Sequence, residues 1–254
     1  MESGEVAEDS GLTRPALQES GTPDRWWVLL LVALDYFVLY LHRSVIFFVL
    51  PPLIAELHLT DEQVGNLQMA FIIPYGVLQL FVGYFGDRFR RRTVLICSIS
   101  TAVVALAGLG LARNYWDLLI LRVVLGIAQS ASVPAIASIM ADSFTPKFRS
   151  TAVSVYLVSL SLSQYVAAKY GGKIADTPAW EIPSFGLIEG AVIVSGWRMS
   201  MFVFSLVGAA VGLLLFFFLR EPERTERDAN HGIGPQGAPL WRTVTAVLKV
   251  PSFL

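Results

Sequence analysis

Cysteine is all but missing from this chain. Cys97 stands alone among 254 residues, so no disulfide forms within the chain. Charge is scarce as well. Asp, Glu, Lys and Arg make up 15% of the residues, against about 25% in ordinary soluble domains. The formal net charge is −1, which gives a nucleic acid or other polyanion nothing to hold. There is no Cys/His spacing for a metal, no nucleophile elbow, and no glycine-rich loop followed by Lys and Ser/Thr. Enzyme chemistry and nucleotide-driven work have no carrier here, and neither a cofactor nor a metal is expected. What the chain has instead is apolar residues, 54% of the total, and a mean hydropathy of +0.59. That surplus calls for the lipid bilayer as solvent.

The stretch from Met1 to Asp24 is polar and acid-rich, with scattered Gly and Pro. It lacks the apolar surface to offset its ordering entropy and reads as a disordered cytoplasmic tail. It also lacks a basic start followed at once by an apolar run, so it is not a secretory leader. The first long span then serves as an uncleaved insertion signal. Six apolar runs of about 20 residues follow, each long enough to span a bilayer. They cover Trp26–Leu53, Val64–Gly86, Thr93–Ala112, Leu118–Ala141, Ser150–Tyr170 and Trp197–Leu219. A bend is expected in the fourth at Ser130–Pro134, and a long link at Gly171–Gly196. Residues 25–220 thus form a six-helix transmembrane domain. A Gly/Pro-rich linker occupies 221–239, and 240–254 begins a seventh run that stops short of membrane length.

Basic residues sort to one side. Arg25, Arg88, Arg90, Arg91, Arg92, Lys147, Arg149, Arg220, Arg224 and Arg227 lie at one set of ends; Arg113, Lys169, Lys173 and Arg198 lie at the other. The positive-inside rule places both termini in the cytoplasm, in a plasma (inner) membrane.

Charge inside a span costs roughly 2.5–3.5 kcal/mol per residue on insertion scales, so it faces protein or water. Helix 1 carries Asp35, His42 and Arg43, and helix 4 carries Arg122. Tyr40 in helix 1, Gln129 in helix 4, Gln68, Tyr75 and Gln79 in helix 2, and Tyr156, Ser159 and Ser163 in helix 5 add polar groups. Helices 1, 2, 4 and 5 are therefore expected to line a cavity, with 3 and 6 against lipid. For any single Tyr or Ser, plain hydrogen bonding between helices explains it as well. Asp35 and His42 are seven apart and share a helix face, as do Arg122 and Gln129. Two arginines against one Asp leave positive charge over, which suits a carboxylate or phosphate on a small-molecule substrate. Asp35, His42, Arg43 and Arg122 are expected to form one coupling and binding centre, in which His42, the residue type whose ordinary pKa lies nearest neutral pH, is the candidate proton carrier with Asp35.

Between the second and third spans lies Gly83–Tyr–Phe–Gly86–Asp87–Arg88–Phe–Arg90–Arg91–Arg92. This turn resembles the loop joining helices 2 and 3 in the major facilitator superfamily. Arg122–Val–Val–Leu–Gly126 resembles its helix-4 signature, and Asp142–Ser–Phe–Thr–Pro–Lys–Phe–Arg149 its turn between helices 4 and 5. The resemblance implies an all-α fold, a six-helix bundle that is the amino-terminal half of a twelve-helix transporter, built as an inverted 3+3 repeat. It implies a gating network of Gly83, Gly86, Asp87, Arg88, Arg91, Asp142 and Arg149. It also implies a secondary transporter of a small organic anion or lysolipid-like solute, acting with a missing carboxy-terminal half or a second copy. Tyr40–Leu–His42–Arg43 and Gly126–Ile–Ala–Gln129 look like Spinster-type segments, with His42 and Gln129 where that group has acids. Gly196–Trp197–Arg198 is shared with the anion:cation symporters, and the two subgroups stay open. A membrane protein that does not transport, a receptor or an assembly remnant, is the reading from another class.

Overall fold

The computed structural model describes residues 24–85, 90–182 and 192–219. Along them run α1 (Asp24–Phe48), α2 (Leu50–Leu57), α3 (Asp61–Phe85), α4 (Arg91–Leu111), α5 (Tyr115–Gln129), α6 (Ser132–Ser143) and α7 (Pro146–Val166). A π-helical turn (Ala167–Gly171), α8 (Gly172–Ala175), strands β1 (Trp180–Ile182) and β2 (Val192–Val194), and α9 (Gly196–Phe218) complete them. Apart from Asp24, which opens α1, the expected tail lies outside the described residues, as do the linker at 221–239 and the run at 240–254.

Five helical stretches among the described residues are long and apolar enough to cross a membrane: 25–48, 91–111, 115–143, 148–175 and 196–218. With α3, 25 residues long, they form a bundle of six. Two boundaries differ from the sequence expectation, each for a local reason, and the fourth span breaks where a bend was expected. The first span stops at Phe48, because Pro51 and Pro52 lack the N–H groups that would continue the ladder and instead open α2. The fourth breaks between α5 and α6 near Ser130, whose hydroxyl turns back to donate to the Ile127 carbonyl at 2.8 Å. The fifth continues through the π turn to Ala175, so the long link begins later and contains the antiparallel pair β1–β2, with Trp180 opposite Val194.

Short reciprocal caps start two spans. At α3, the Thr60 amide donates to Gln63 Oε1 and the Gln63 amide to Thr60 Oγ1, at 3.0 and 3.3 Å. At α5, the Asp117 amide donates to Asn114 Oδ1 while Asp117 Oδ2 accepts from the Arg113 amide.

Taking α1, α3, α4, α5–α6, α7–α8 and α9 as crossings one to six, the principal contacts are three with six, two with four, one with five, three with four and one with six. Exchanging every crossing for the one three places away returns the same set. An odd unit of three also reverses direction, so the second triplet repeats the first upside down, the pattern of an inverted repeat.

Large apolar side chains stay uncovered on the outside, among them Val104 at 70%, Leu206 at 72% and Phe217 at 70% exposure. In water such faces would associate; against acyl chains they are at home.

At the end of the bundle opposite the arginine-rich turns, Glu56 of α2 fastens α9. Its carboxylate accepts from the Ser195 hydroxyl, from Trp197 Nε1 at 2.6 Å, and from Arg198 Nε and Nη2 at 3.0 and 2.9 Å. Arg198 Nη1 also donates to the Gly110 and Ala112 carbonyls at 3.0 and 2.6 Å. This ties the end of α4 into the same clasp. Partial burial pushes the Glu56 carboxyl up, but the bonds from Ser195, Trp197 and Arg198 and the Arg198 charge outweigh it. The net result is a value below the usual carboxylate range. A depressed folded-state value stabilises above the unfolded pKa and is lost as pH falls through the folded one. In Glu56→Gln, thermal stability at neutral pH is expected to drop by about 1 kcal/mol, small because the pair is partly exposed. Below the carboxylate range the variant and the parent should converge. Melting curves in detergent across pH check both points.

Candidate functional site

Helix α1 presents Tyr36, Tyr40 and Arg43 at spacings of four and three, one stripe of its surface. The Tyr36 hydroxyl donates to that of Tyr40 at 3.3 Å. Tyr156 of α7 meets Tyr36 edge to face, with ring centroids 4.9 Å apart. The Arg43 guanidinium lies over three rings, at 4.3 Å from the centroid of Tyr75, 4.6 Å from Phe71 and 5.5 Å from Tyr40. Phe71 and Tyr75 belong to α3 and are stacked on each other.

Arg122 of α5 comes to the same Phe71 ring, 5.0 Å from its centroid. It is buried, at 1% exposure. Its Nε donates to the Leu67 carbonyl at 3.3 Å and its Nη2 to Gln68 Oε1 at 2.8 Å. Nη1 has no hydrogen-bond partner. Two turns on, Gln129 Nε2 donates to the Leu39 carbonyl of α1 at 3.3 Å, leaving its Oε1 without a partner.

Two cations therefore share one ring, which puts their guanidinium carbons within ~10 Å of each other, where charge still acts strongly in an apolar surround. The ion pairs among the described residues, Arg91–Asp142 and Arg198–Glu56, involve neither of them. Aromatic faces and neutral oxygens hold both arginines, and the net charge of the cluster is positive.

The close approach of α3 and α5 depends on Gly126. A Cβ there would lie 2.5 Å from the Phe71 carbonyl oxygen and 3.2 Å from Pro74 Cγ. Pro74 also lies inside α3 and leaves the Ala70 carbonyl without its helical donor.

The structure separates what the sequence put together. Arg43 is one residue past His42, hence ~100° round the helix, and His42 faces α9. Its Nε2–H donates to the Phe204 carbonyl at 3.0 Å, and its ring occupies the space a side chain at Gly208 would need. His42 Nδ1 and Asp35 Oδ2 are buried without partners, at residue exposures of 1% and 3%. Tyr40, Arg43, Tyr75, Arg122, Gln129 and Tyr156 thus gather between α1, α3, α5 and α7. Asp35 and His42 lie on another stripe of α1. Gln79, one turn beyond Tyr75, is partly buried.

Of the expected gate, Arg91 and Asp142 form an ion pair that joins the start of α4 to the end of α6. Arg149 Nη2 donates to the Ala141 carbonyl next to it at 2.8 Å. Gly83 lies near the end of α3; Gly86, Asp87 and Arg88 lie outside the described residues. Sequence reasoning missed Phe71, the ring both arginines use. It also left Tyr36 out of the site, whereas Gln68, on the expected polar stripe of helix 2, accepts from Arg122.

Six crossings in two inverted triplets, with buried cations held at a polar seam, define an integral membrane helix bundle built as an inverted repeat. The model of the Major Facilitator Superfamily matches residues 32–254, and the chain belongs to that family. Spinster proteins are among its relatives. It is 27% identical over 198 residues to the sphingosine-1-phosphate transporter SPNS2 of Danio rerio, a match covering 76% of this chain and 36% of that protein. To protein spinster homolog 1 of Homo sapiens it is 25% identical over 257 residues, covering 98% and 44%. The crystal structure of a bacterial homolog to the human lysosomal transporter Spinster, inward-facing and unoccupied, superposes with a TM-score of 0.73 at 27% identity. That match covers 80% of this chain and 45% of the other. The chain spans less than half the length of these relatives.

Proposed function

We propose that this chain supplies one six-helix half of a secondary transporter that moves an amphiphilic organic anion by alternating access, coupled to protons. A second six-helix half, or a second copy, completes the pathway, and the arginine-rich ends face the cytoplasm. The observation that carries the reading is the Arg43–Phe71–Arg122 arrangement, two cations on one ring with no acid paired to either among the described residues. Guanidinium groups match phosphate or carboxylate oxygens in pairs, and the rings of Tyr40, Phe71 and Tyr75 suit an apolar body next to that head. A relative named as a sphingosine-1-phosphate transporter favours a lysolipid phosphate over a sugar acid. Uptake of sphingosine-1-phosphate and of glucuronate into proteoliposomes bearing the complete protein, with and without an imposed pH gradient, tests this. Movement of neither anion defeats the reading.

The coupled proton belongs, in this proposal, to Asp35 and His42 on the neighbouring stripe of α1. Each has a buried polar atom without a partner, and each is close enough in sequence to Arg43 to move with it. Proton and substrate then communicate through the rotation or shift of α1 rather than by touching. In His42→Gln the pH profile of uptake is expected to flatten. Persistent uptake with an unaltered profile places the proton elsewhere. The Arg91–Asp142 pair, with Arg149 beside it, is the part of the proposed gate that the described residues hold.

A further inference from the structure

In the run Arg90–Arg91–Arg92, the pair with Asp142 engages Arg91 and neither of its neighbours. Successive helical residues point ~100° apart, so Arg91 turns to α6 and Arg92 turns to α9. There Arg92 Nη2 donates at 2.5 Å to the Phe216 carbonyl, one of the last carbonyls of α9. Arg92 Nε is buried without a partner. Arg90 is exposed and stands at the N-cap of α4 with no side-chain cap bond, and the first turn of α4 contains no acid.

The N-terminus of a helix carries about half a positive charge, and Arg90 and Arg92 add to it at the start of α4. Neither Arg90 nor Arg92 takes part in an ion pair among the described residues; the acids next along the chain after α9, Glu221 and Glu223, lie outside them.

Between these arginines and α9 opens a cavity of about 400 Å³, lined by Arg90, Arg92, Thr93, Ile96 and Phe216. One end is cationic and hydroxylic, the other apolar. Beyond it, Cys97 and Val104 of α4 and Phe217 of α9 are exposed on the outer surface of the bundle. A ligand that fits has an anionic head at the level of the membrane interface and an apolar tail leading down into the bilayer.

We propose that the cavity between the start of α4 and the end of α9 binds the phosphate headgroup of an anionic phospholipid from the arginine-rich leaflet. It is separate from the Arg43–Arg122 cluster, which lies between α1, α3 and α5. Arg92 grips one phosphate oxygen while holding the end of α9, Arg90 and the α4 amides face the others, and the first acyl carbons lie on Ile96 and Phe216. The bound lipid pairs with Arg90 and Arg92 and ties α4 to α9.

Native mass spectrometry of the purified complete protein, delipidated and then given phosphatidylglycerol or phosphatidylcholine, tests this. The parent is expected to keep one phosphatidylglycerol preferentially. R90Q/R92Q should lose that retention roughly tenfold, the effect of removing one or two charge-assisted hydrogen bonds. Arg92→Lys should fall between them, and Ile96→Trp, which fills the apolar end and leaves the charge, should lose retention too. Melting curves confirm that each variant is folded. Equal retention of the two lipids, or unchanged retention in R90Q/R92Q, overturns the proposal. So does displacement of the lipid by excess inorganic phosphate alone, which would mark a site for a free anion.

Discussion

Replacing Arg122 by Met is expected to abolish anion uptake and to raise the melting temperature in the same protein. The two effects have one cause. Arg122 is a fully buried cation with no acid paired to it among the described residues. An uncompensated ion in such a place costs several kcal/mol even after relaxation. Its neutral partners do not need it. The Leu67 carbonyl keeps its helical donor within α3, and Gln68 is only partly buried and turns to water. Met fills similar volume and packs on Phe71. Stability should therefore rise by a few degrees, while loss of the charge proposed to meet the substrate anion, about 2–5 kcal/mol in comparable pairs, lowers uptake at least about thirtyfold. Added lysolipid phosphate should raise the melting temperature of the parent and not of the variant. A variant that melts earlier and still transports would make Arg122 a structural cation.

How far the sequence led depends on which physical signal each feature leaves. Apolar runs of membrane length mark the six crossings because the bilayer imposes that length on every one. The Pro51–Pro52 break was within reach, since the missing N–H groups are written in the residue names, yet the apolar run carries on across it and hides it. Charge cost pointed to Asp35, His42, Arg43 and Arg122, but cost alone does not give direction. Residues seven apart share a face, which grouped Asp35 with His42 correctly. The adjacent Arg43 necessarily points elsewhere, and only the packing of α1 on α7 and α9, with the rings of α3 across the seam, shows where. Phe71 escaped notice because a phenylalanine in a membrane helix looks like any lipid-facing or core residue. Its role comes from the two guanidinium groups that reach it from different helices, a long-range fact. The Glu56–Arg198 clasp is of the same kind, joining residues 142 positions apart.

Adding one methyl group at Gly126 is expected to disable the site without touching any of its charges. The Cβ of Gly126→Ala would fall 2.5 Å from the Phe71 carbonyl oxygen and 3.2 Å from Pro74 Cγ. Neither neighbour is the free end of a flexible chain: one is helix backbone, the other a ring fixed to it. Helix α3 must therefore back away from α5, and the shift falls on the segment that supplies Leu67, Gln68 and Phe71 to Arg122. Overpacking of this kind costs about 1–3 kcal/mol, partly offset by the ~1 kcal/mol that Ala gains over Gly in a helix. The net expectation is a lower melting temperature together with a large loss of uptake, since both arginines lose their common ring. Gly76→Ala on the same helix is the matched control for stability, because nothing lies within 4 Å of its Cβ position. There the helix propensity acts alone, and the melting temperature should hold or rise. If Gly126→Ala and Gly76→Ala melt alike, then α3 and α5 are not locked through Gly126, and the position of Phe71 between the two arginines is not fixed by that contact.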